Sequence, residues 1–226
     1  MKHQVLNTQV QGLIEDVLTK EQQDGLTPAN VRALLEEGNA RFVAGEVTLR
    51  NHKEQVRRAA ANQFPKAIVL SCVDSRVPVE DVFDRGIGDL FVARVAGNFI
   101  NTDILGSMEF ACKVAGAKYI LVMGHSHCGA VRSAIDGVEL GNITSMLSNI
   151  RPAVQSLPDH PEPRTSANEE FVNLVTEKNV RLSIENIRRD SSILREMELG
   201  GQIGIAGAIY DMNTGEVGFL DETARS

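Results

Sequence analysis

Two short clusters hold the residue types most capable of chemistry. Cys72-Val73-Asp74-Ser75-Arg76 puts a thiol, a carboxylate and a guanidinium close together. His125-Ser126-His127-Cys128 puts two imidazoles beside a second thiol. Cys72, Cys128 and His125 together offer two thiolates and one imidazole. That donor set leaves one tetrahedral position for water or another ligand, the arrangement of a catalytic zinc site. A dithiol redox pair is the competing reading. It is weaker, because the two cysteines lie 56 positions apart and there is no Cys-x-x-Cys. The third cysteine, Cys112, falls on the apolar face of an expected helix and reads as a small buried hydrophobe.

The elements around these clusters explain why they should meet. Ala67 to Cys72 is a continuous apolar run, as a buried parallel strand demands. Leu90 to Val95 and Tyr119 to Gly124 are two more. Between them, Thr102 to Ala115 has helical spacing, with Ile104, Leu105, Met108, Ala111, Cys112 and Ala115 on one face. A further helix begins at Ala130. The first cluster follows the first strand, and the second follows the third. Ligands bind outside the carboxyl ends of strands in such sheets, so both clusters should face one crevice.

Flanking segments complete the expected fold. Residues 3–20 read as a helix with Val5, Val10, Leu13, Ile14, Val17 and Leu18 on one side. Thr27-Pro28 is a start signal for a second helix to about Ala44. Residues 45–62 read as irregular and partly helical. Pro152, Pro158, Pro161 and Pro163 mark a loop, and a long helix follows over about 168–190. Residues 202–210 and 216–220 flank Asn213-Thr214-Gly215 and form a hairpin. Gly201-x-x-Gly204-x-x-Gly207 lies within an apparent strand with no helix after it, so it reads as close backbone packing, not as a phosphate loop. The fold class is therefore α/β: a mainly parallel β-sheet flanked by helices, with an antiparallel edge strand and an N-terminal helical extension. Two segments form one structural unit, an arm over 1–45 and an α/β domain over 46–226.

Composition narrows the function. Lys and Arg number 23 against 30 Asp and Glu, a net charge of −7. Aromatic residues make up 4% with no Trp, so neither a basic nor a base-stacking surface is expected, and nucleic acid is excluded as a partner. Arg57-Arg58 and Arg188-Arg189 read as solvated helix faces. No apolar run reaches the 18 or so residues of a membrane span. The first residues lack the apolar stretch of a secretory signal. The chain reads as cytoplasmic, with the mature form of an exported protein as the alternative.

The paired motifs Cys72-x-Asp74-Ser75-Arg76 and His125-x-x-Cys128 resemble the signature of the β-class carbonic anhydrases. Asp89 to Arg94, Ala96-Gly97-Asn98 and Gly106 to Phe110 extend the resemblance, which spans roughly residues 28–220. It implies one zinc ion per subunit on Cys72, His125 and Cys128, and a catalytic dyad of Asp74 and Arg76. It also places Gln63, Phe91, Ala96, Phe110 and Gly129 at the substrate site. Zinc-bound hydroxide would attack carbon dioxide, oriented by the dyad, to give bicarbonate and a proton. Two thiolates cancel the zinc charge, so water should ionise less readily here than at an all-histidine zinc. His127 is a candidate proton shuttle, since imidazoles change charge between about pH 5 and 8.

Some members of that family close the site by moving the aspartate onto zinc, often with bicarbonate at a separate site that uses a Trp. Val69 stands at the matching position here, so the expectation is an open site. The family also builds its site at a dimer interface with N-terminal helices embracing the partner. That implies a homodimer or a higher even oligomer. Two other readings keep the same ligands: hydrolysis of carbon disulfide or carbonyl sulfide, and a non-catalytic protein that binds zinc and bicarbonate.

Overall fold

The computed structural model describes residues 12–157 and 162–220. Five strands form one sheet in the order β2-β1-β3-β4-β5. They are β1 (Ala67–Ser71), β2 (Leu90–Arg94), β3 (Tyr119–His125), β4 (Gly204–Tyr210) and β5 (Val217–Phe219). The first four run parallel, and β5 pairs antiparallel with β4 through Ala208↔Phe219 and Tyr210↔Val217. The hairpin and its edge position match the expectation. β1 leads to β2 on one side, and β3 leads to β4 on the other. The sheet therefore switches direction between β1 and β3, the place where such sheets bind their ligands.

Helices cover both faces. α1 (Lys20–Asp24), α2 (Pro28–Ala44), α3 (His52–Ala59) and α4 (Val79–Val82) come before β2. Among these, α2 and α4 bring Val31, Leu35, Val79 and Val82 against Val69, Leu121 and Met123 on one face. Thr27 caps α2 with its side chain on the Asn30 N–H, and Pro28 opens the helix, as its local chemistry demands.

The opposite face is covered by α5 (Thr102–Glu109), α9 (Glu169–Asp190) and α10 (Ser192–Leu199). Met108, Ala111, Cys112, Val180, Ile184 and Leu194 there meet Ile68, Leu70, Ile120 and Val122. The helix expected over 102–115 changes pitch midway: Phe110–Val114 is a π-helical turn, closed by the Ala115 N–H on the Phe110 carbonyl.

A third apolar cluster closes the carboxyl end of the sheet. α6 (Gly129–Ile135), α7 (Gly141–Leu147) and α8 (Arg151–Gln155) pack Val131, Leu147, Ile150 and Ala153 against Phe171 and Val175 of α9. Cys72 and Cys128 belong to this cluster. Pro152 sits in the first turn of α8, so the proline-rich segment begins as helix. Its positions 158–161 lie outside the described residues.

The N-terminal reading needs correction. Positions 3–11 of the expected helix lie outside the described residues, and 12–19 are not helical. Ile14 instead bridges to the 49–51 segment, donating to the Leu49 carbonyl at 2.9 Å and accepting from the Asn51 N–H at 3.0 Å. Thr19 then starts a new helix with a capping box to Gln22, which fixes the break. The glycine series is packing, as expected. A Cβ on Gly207 would lie 2.6 Å from a Val180 methyl, and one on Gly204 2.7 Å from the Tyr119 ring. No helix among the described residues is long and apolar enough to cross a membrane.

Candidate metal centre

β1 and β3 deliver the three donors. Their register pairs Leu70 with Val122, so the chain leaves β1 at Cys72 beside the end of β3 at His125. Cys128 is the N-cap of α6, reached through His127 in left-handed backbone (φ 57°). The two Sγ atoms and a ring nitrogen of His125 all lie within 4.8 Å of one another, and all three residues are buried. Zinc bonds of ~2.0–2.3 Å to nitrogen and sulfur fit inside that span.

The imidazole could hold a metal ion. His125 Nδ1 lies 2.9 Å from the Ser126 carbonyl, which can only accept, so Nδ1 carries the proton. Nε2 is left buried with no partner in the chain. A buried, unpartnered lone pair is costly unless an ion or a donor fills it. Ser126 is itself anchored, with its N–H on the Tyr210 carbonyl and its hydroxyl accepting from the Met212 N–H. The donor set and this vacant lone pair fit zinc.

The thiols are electrostatically unequal. The hydrogen bond from Cys128 lowers the Cys72 pKa most. Burial opposes it, and the N–H groups of Gly97 and Asp74 add to the lowering. Cys128 is pushed up by the Cys72 sulfur and by burial, against the N–H groups of Val131 and Ala130. Cys112 lies apart from the centre, with its thiol pushed up to about 12 by burial.

Asp74 and Arg76 follow on the loop from β1. Arg76 Nε donates to Oδ1 at 2.9 Å and Nη2 to Oδ2 at 2.8 Å, while the Arg76 backbone N–H also reaches Oδ1. The side-chain hydrogen bond from Arg76 is the main reason the Asp74 pKa falls to about 2, and it outweighs the opposing effect of burial. Asp74 is not one of the three residues whose donor atoms converge.

Sequence reasoning gave no role to Arg94, at the end of β2. Its Nη1 donates to the Cys72 carbonyl at 3.0 Å and its Nη2 to the Val77 carbonyl at 2.5 Å. It pins the loop that carries Asp74. An arginine ending an apolar strand beside the site was the available signal.

The other expected residues divide into two groups. Ala96 and Gly129 lie at the carboxyl end of the sheet. Ala96 is in the turn closed by the Asn98 N–H on the Val95 carbonyl, and the Gly97 N–H of that turn donates to Cys72 Sγ at 3.3 Å. Gly129 opens α6, with nothing within 4 Å of where a Cβ would stand. Gln63, Phe91 and Phe110 are elsewhere. Gln63 is exposed before β1, so a five-residue strand at ~3.3 Å per residue separates it from Cys72. Phe91 pairs with Ile68 near the start of β1 and meets Phe110 edge-on, with ring centroids 6.3 Å apart. Phe110 is 52% exposed beside a groove of about 670 Å³. His127 is half-buried, its Nδ1 3.4 Å from both Glu169 and Arg132.

Known proteins resemble this chain in sequence and fold. The family model described as carbonic anhydrase matches residues 67–217. Carbonic anhydrase 2 of Mycobacterium tuberculosis is 33% identical over 188 residues, covering 83% of this chain and 90% of its own. The carbonic anhydrase of Mycolicibacterium smegmatis is 34% identical over 185 residues, covering 81% and 88%. The solved structure of the β-carbonic anhydrase CcaA superposes with a TM-score of 0.68 at 26% identity, covering 84% of this chain and 95% of that one. That of the β-carbonic anhydrase CafA of Aspergillus fumigatus gives 0.66 at 26% identity, covering 87% and 92%. With two thiols and an unpartnered imidazole nitrogen converging at the switch point of the same fold, the chain belongs to the β-class carbonic anhydrases.

Proposed function

We propose that the chain interconverts carbon dioxide and bicarbonate at an ion held by Cys72, His125 and Cys128, with Asp74 and Arg76 directing the attack. The observation that carries this reading is the buried, unpartnered Nε2 of His125 facing two thiols. Zinc bound there supplies a Lewis acid and the means to ionise water near neutral pH. Asp74 remains ionised, accepts a hydrogen bond from the attacking hydroxide and aims its lone pair at carbon. Arg76 holds both carboxylate oxygens and keeps them from becoming ligands, which favours the open form of the site. Ala96 leaves room for a small linear substrate, and the Gly129 N–H offers a donor for an anionic product. His127 then carries the released proton outward past Glu169.

Gln63, Phe91 and Phe110 act on the site of a second copy. β2 is an edge strand, and Phe110 exposes apolar surface beside it. A homodimer or higher even oligomer would cover that edge, with the arm over 1–45 completing the contact. The requirement that Cys72 and Cys128 stay reduced fits a cytoplasmic setting.

Stopped-flow hydration of carbon dioxide with zinc-loaded protein tests the reading, with Asp74→Asn as control. Fast turnover that the variant loses supports it. No turnover in folded, zinc-replete protein would overturn it, and carbon disulfide and carbonyl sulfide become the next substrates to measure.

A further inference from the structure

α9 shares an apolar cluster with Cys72 and Cys128 through Phe171, Val172 and Val175, and its buried stripe is apolar except at Thr176, Asn179 and Ser183. Buried polar side chains need partners. Thr176 finds one within its own helix, with its hydroxyl on the Val172 carbonyl at 2.8 Å. Asn179 and Ser183, one helical turn apart, reach outward instead. Asn179 Nδ2 donates to the Gly97 carbonyl at 2.8 Å, and the Ser183 hydroxyl donates to the Asn98 carbonyl at 3.4 Å. Both carbonyls belong to the turn whose Gly97 N–H donates to Cys72 Sγ.

Gly97 is held from every side. Its φ of 83° suits position three of a type II turn, closed by the Asn98 N–H on the Val95 carbonyl. A Cβ there would lie 2.3 Å from the Ile150 Cδ1. No side chain of the turn donates to Cys72, so the orientation of the Gly97 N–H decides whether the sulfur receives a hydrogen bond from this turn.

We propose that Asn179 is a positioning residue for the metal centre: it fixes the Gly97 turn so that the Gly97 N–H stays on the Cys72 sulfur. This rests on the metal-centre reading above. An N–H on a thiolate stabilises the sulfur lone pairs and sets the direction in which the remaining ones point. Losing it leaves the sulfur a stronger charge donor but a worse-aimed ligand. Outer partners of this kind change metal affinity by ~10–100-fold when removed.

Cobalt(II) substitution reads the sulfur directly, through the thiolate-to-cobalt charge-transfer band. The proteins to compare are wild type, Asn179→Leu, Asn179→Ser and Thr176→Val. Leu keeps the volume without a donor, and Ser is small but too short to reach Gly97. Thr176→Val removes a buried hydroxyl from the same helix without touching the turn. Both Asn179 variants should move the band to longer wavelength and weaken zinc roughly 10-fold against a chromogenic chelator. Thr176→Val should leave both unchanged. The proposal is overturned if the folded Asn179 variants match wild type in band and affinity, or if Thr176→Val shifts them as far. A wild-type protein with no thiolate band would remove the metal-centre reading and this proposal together. A normal wild-type band that neither Asn179 variant alters removes the positioning role alone.

Discussion

Arg76 grips Asp74 by both carboxylate oxygens, at 2.9 and 2.8 Å, on a loop where the two residues are separated only by Ser75. A fork of this kind fixes direction as well as charge. Asp74→Asn removes the acceptor the attacking hydroxide needs, and should lower kcat/KM by ~10²-fold or more with zinc content unchanged. Arg76→Lys keeps the positive charge but loses the fork, and should cost roughly 10-fold. The Asp74 pKa is lowered from 3.8 to about 2, chiefly by the Arg76 hydrogen bond. A depressed carboxylate contributes stability above its unfolded pKa and loses it as pH falls through the folded one. Asp74 is therefore ionised throughout the neutral range. Rate profiles of wild type and Arg76→Lys should have the same shape above about pH 5, measured by stopped flow.

A second carboxylate holds the segment before β1 in place. Asp84 is buried in left-handed backbone (φ 47°) and accepts from the Thr48 hydroxyl and N–H, Arg41 and Arg50. Burial pushes its pKa up, but the hydrogen bonds from Thr48, Arg50 and Arg41 outweigh it and hold the carboxyl below its ordinary value of 3.8. Asp84→Asn keeps the shape and tolerates the backbone, yet leaves Arg50 without its counter-charge. It should cost about 3 kcal/mol, since breaking one side of a buried pair is expensive. The wild-type advantage should be complete above the ordinary carboxylate pKa and shrink as pH falls below it. Urea denaturation at neutral and at acid pH measures both. A variant as stable as wild type at neutral pH would remove the role given to Asp84.

Removing the metal should disturb the site more than the fold. Cys72 and Cys128 belong only to the cluster at the carboxyl end of the sheet, while the clusters on its two faces contain no donor of the centre. Chelated protein should keep its far-ultraviolet circular dichroism and regain activity with zinc. Its thiols should differ in reactivity, because the thiolate is the nucleophile. Cys72 is lowered mainly by the hydrogen bond from Cys128, whereas Cys112 is raised to about 12 by burial. Iodoacetamide at neutral pH should therefore alkylate Cys72 in the apoprotein well before Cys112, and zinc should protect it. Peptide mass spectrometry reads this out, and equal rates at Cys72 and Cys112 would count against the assignment.

Features set by neighbouring residues were legible in the sequence. Thr27-Pro28 begins α2 because a cap and a fixed φ act within one turn. The buried strands and the hairpin around Asn213-Thr214-Gly215 followed from apolar runs and turn chemistry. Both clusters met because strand ends at a switch point must meet. Features set by distant contacts were not legible. Ile14 leaves helical spacing to pair with the 49–51 segment. The π-turn at Phe110–Val114 leaves no mark in periodicity. Asn179 and Ser183 sit in a stripe that reads as plain core, and only the turn at Gly97 explains them. Gln63, Phe91 and Phe110 were assigned to the substrate site by resemblance alone, and a resemblance does not say which copy of the chain they would serve.

That last question has a direct test. Within one chain Gln63 and Phe91 lie toward the start of β1, while the donors lie beyond its end. If Phe110 serves a second copy, it and Asp74 contribute to one site from different chains. Asp74→Asn and Phe110→Ser should each be poorly active alone. Mixed by refolding or co-expression, half of the dimers pair one of each. In such a dimer one site carries both lesions and the other carries neither. The mixture should therefore recover about a quarter of wild-type activity, with the intact site at wild-type KM. Simple averaging of the two parents would mean that each chain builds its whole site alone. Phe110→Ser also removes an exposed ring beside the edge strand, so sedimentation of that variant should be run first. A monomeric variant still active at wild-type level would separate the assembly from the chemistry and overturn the shared site.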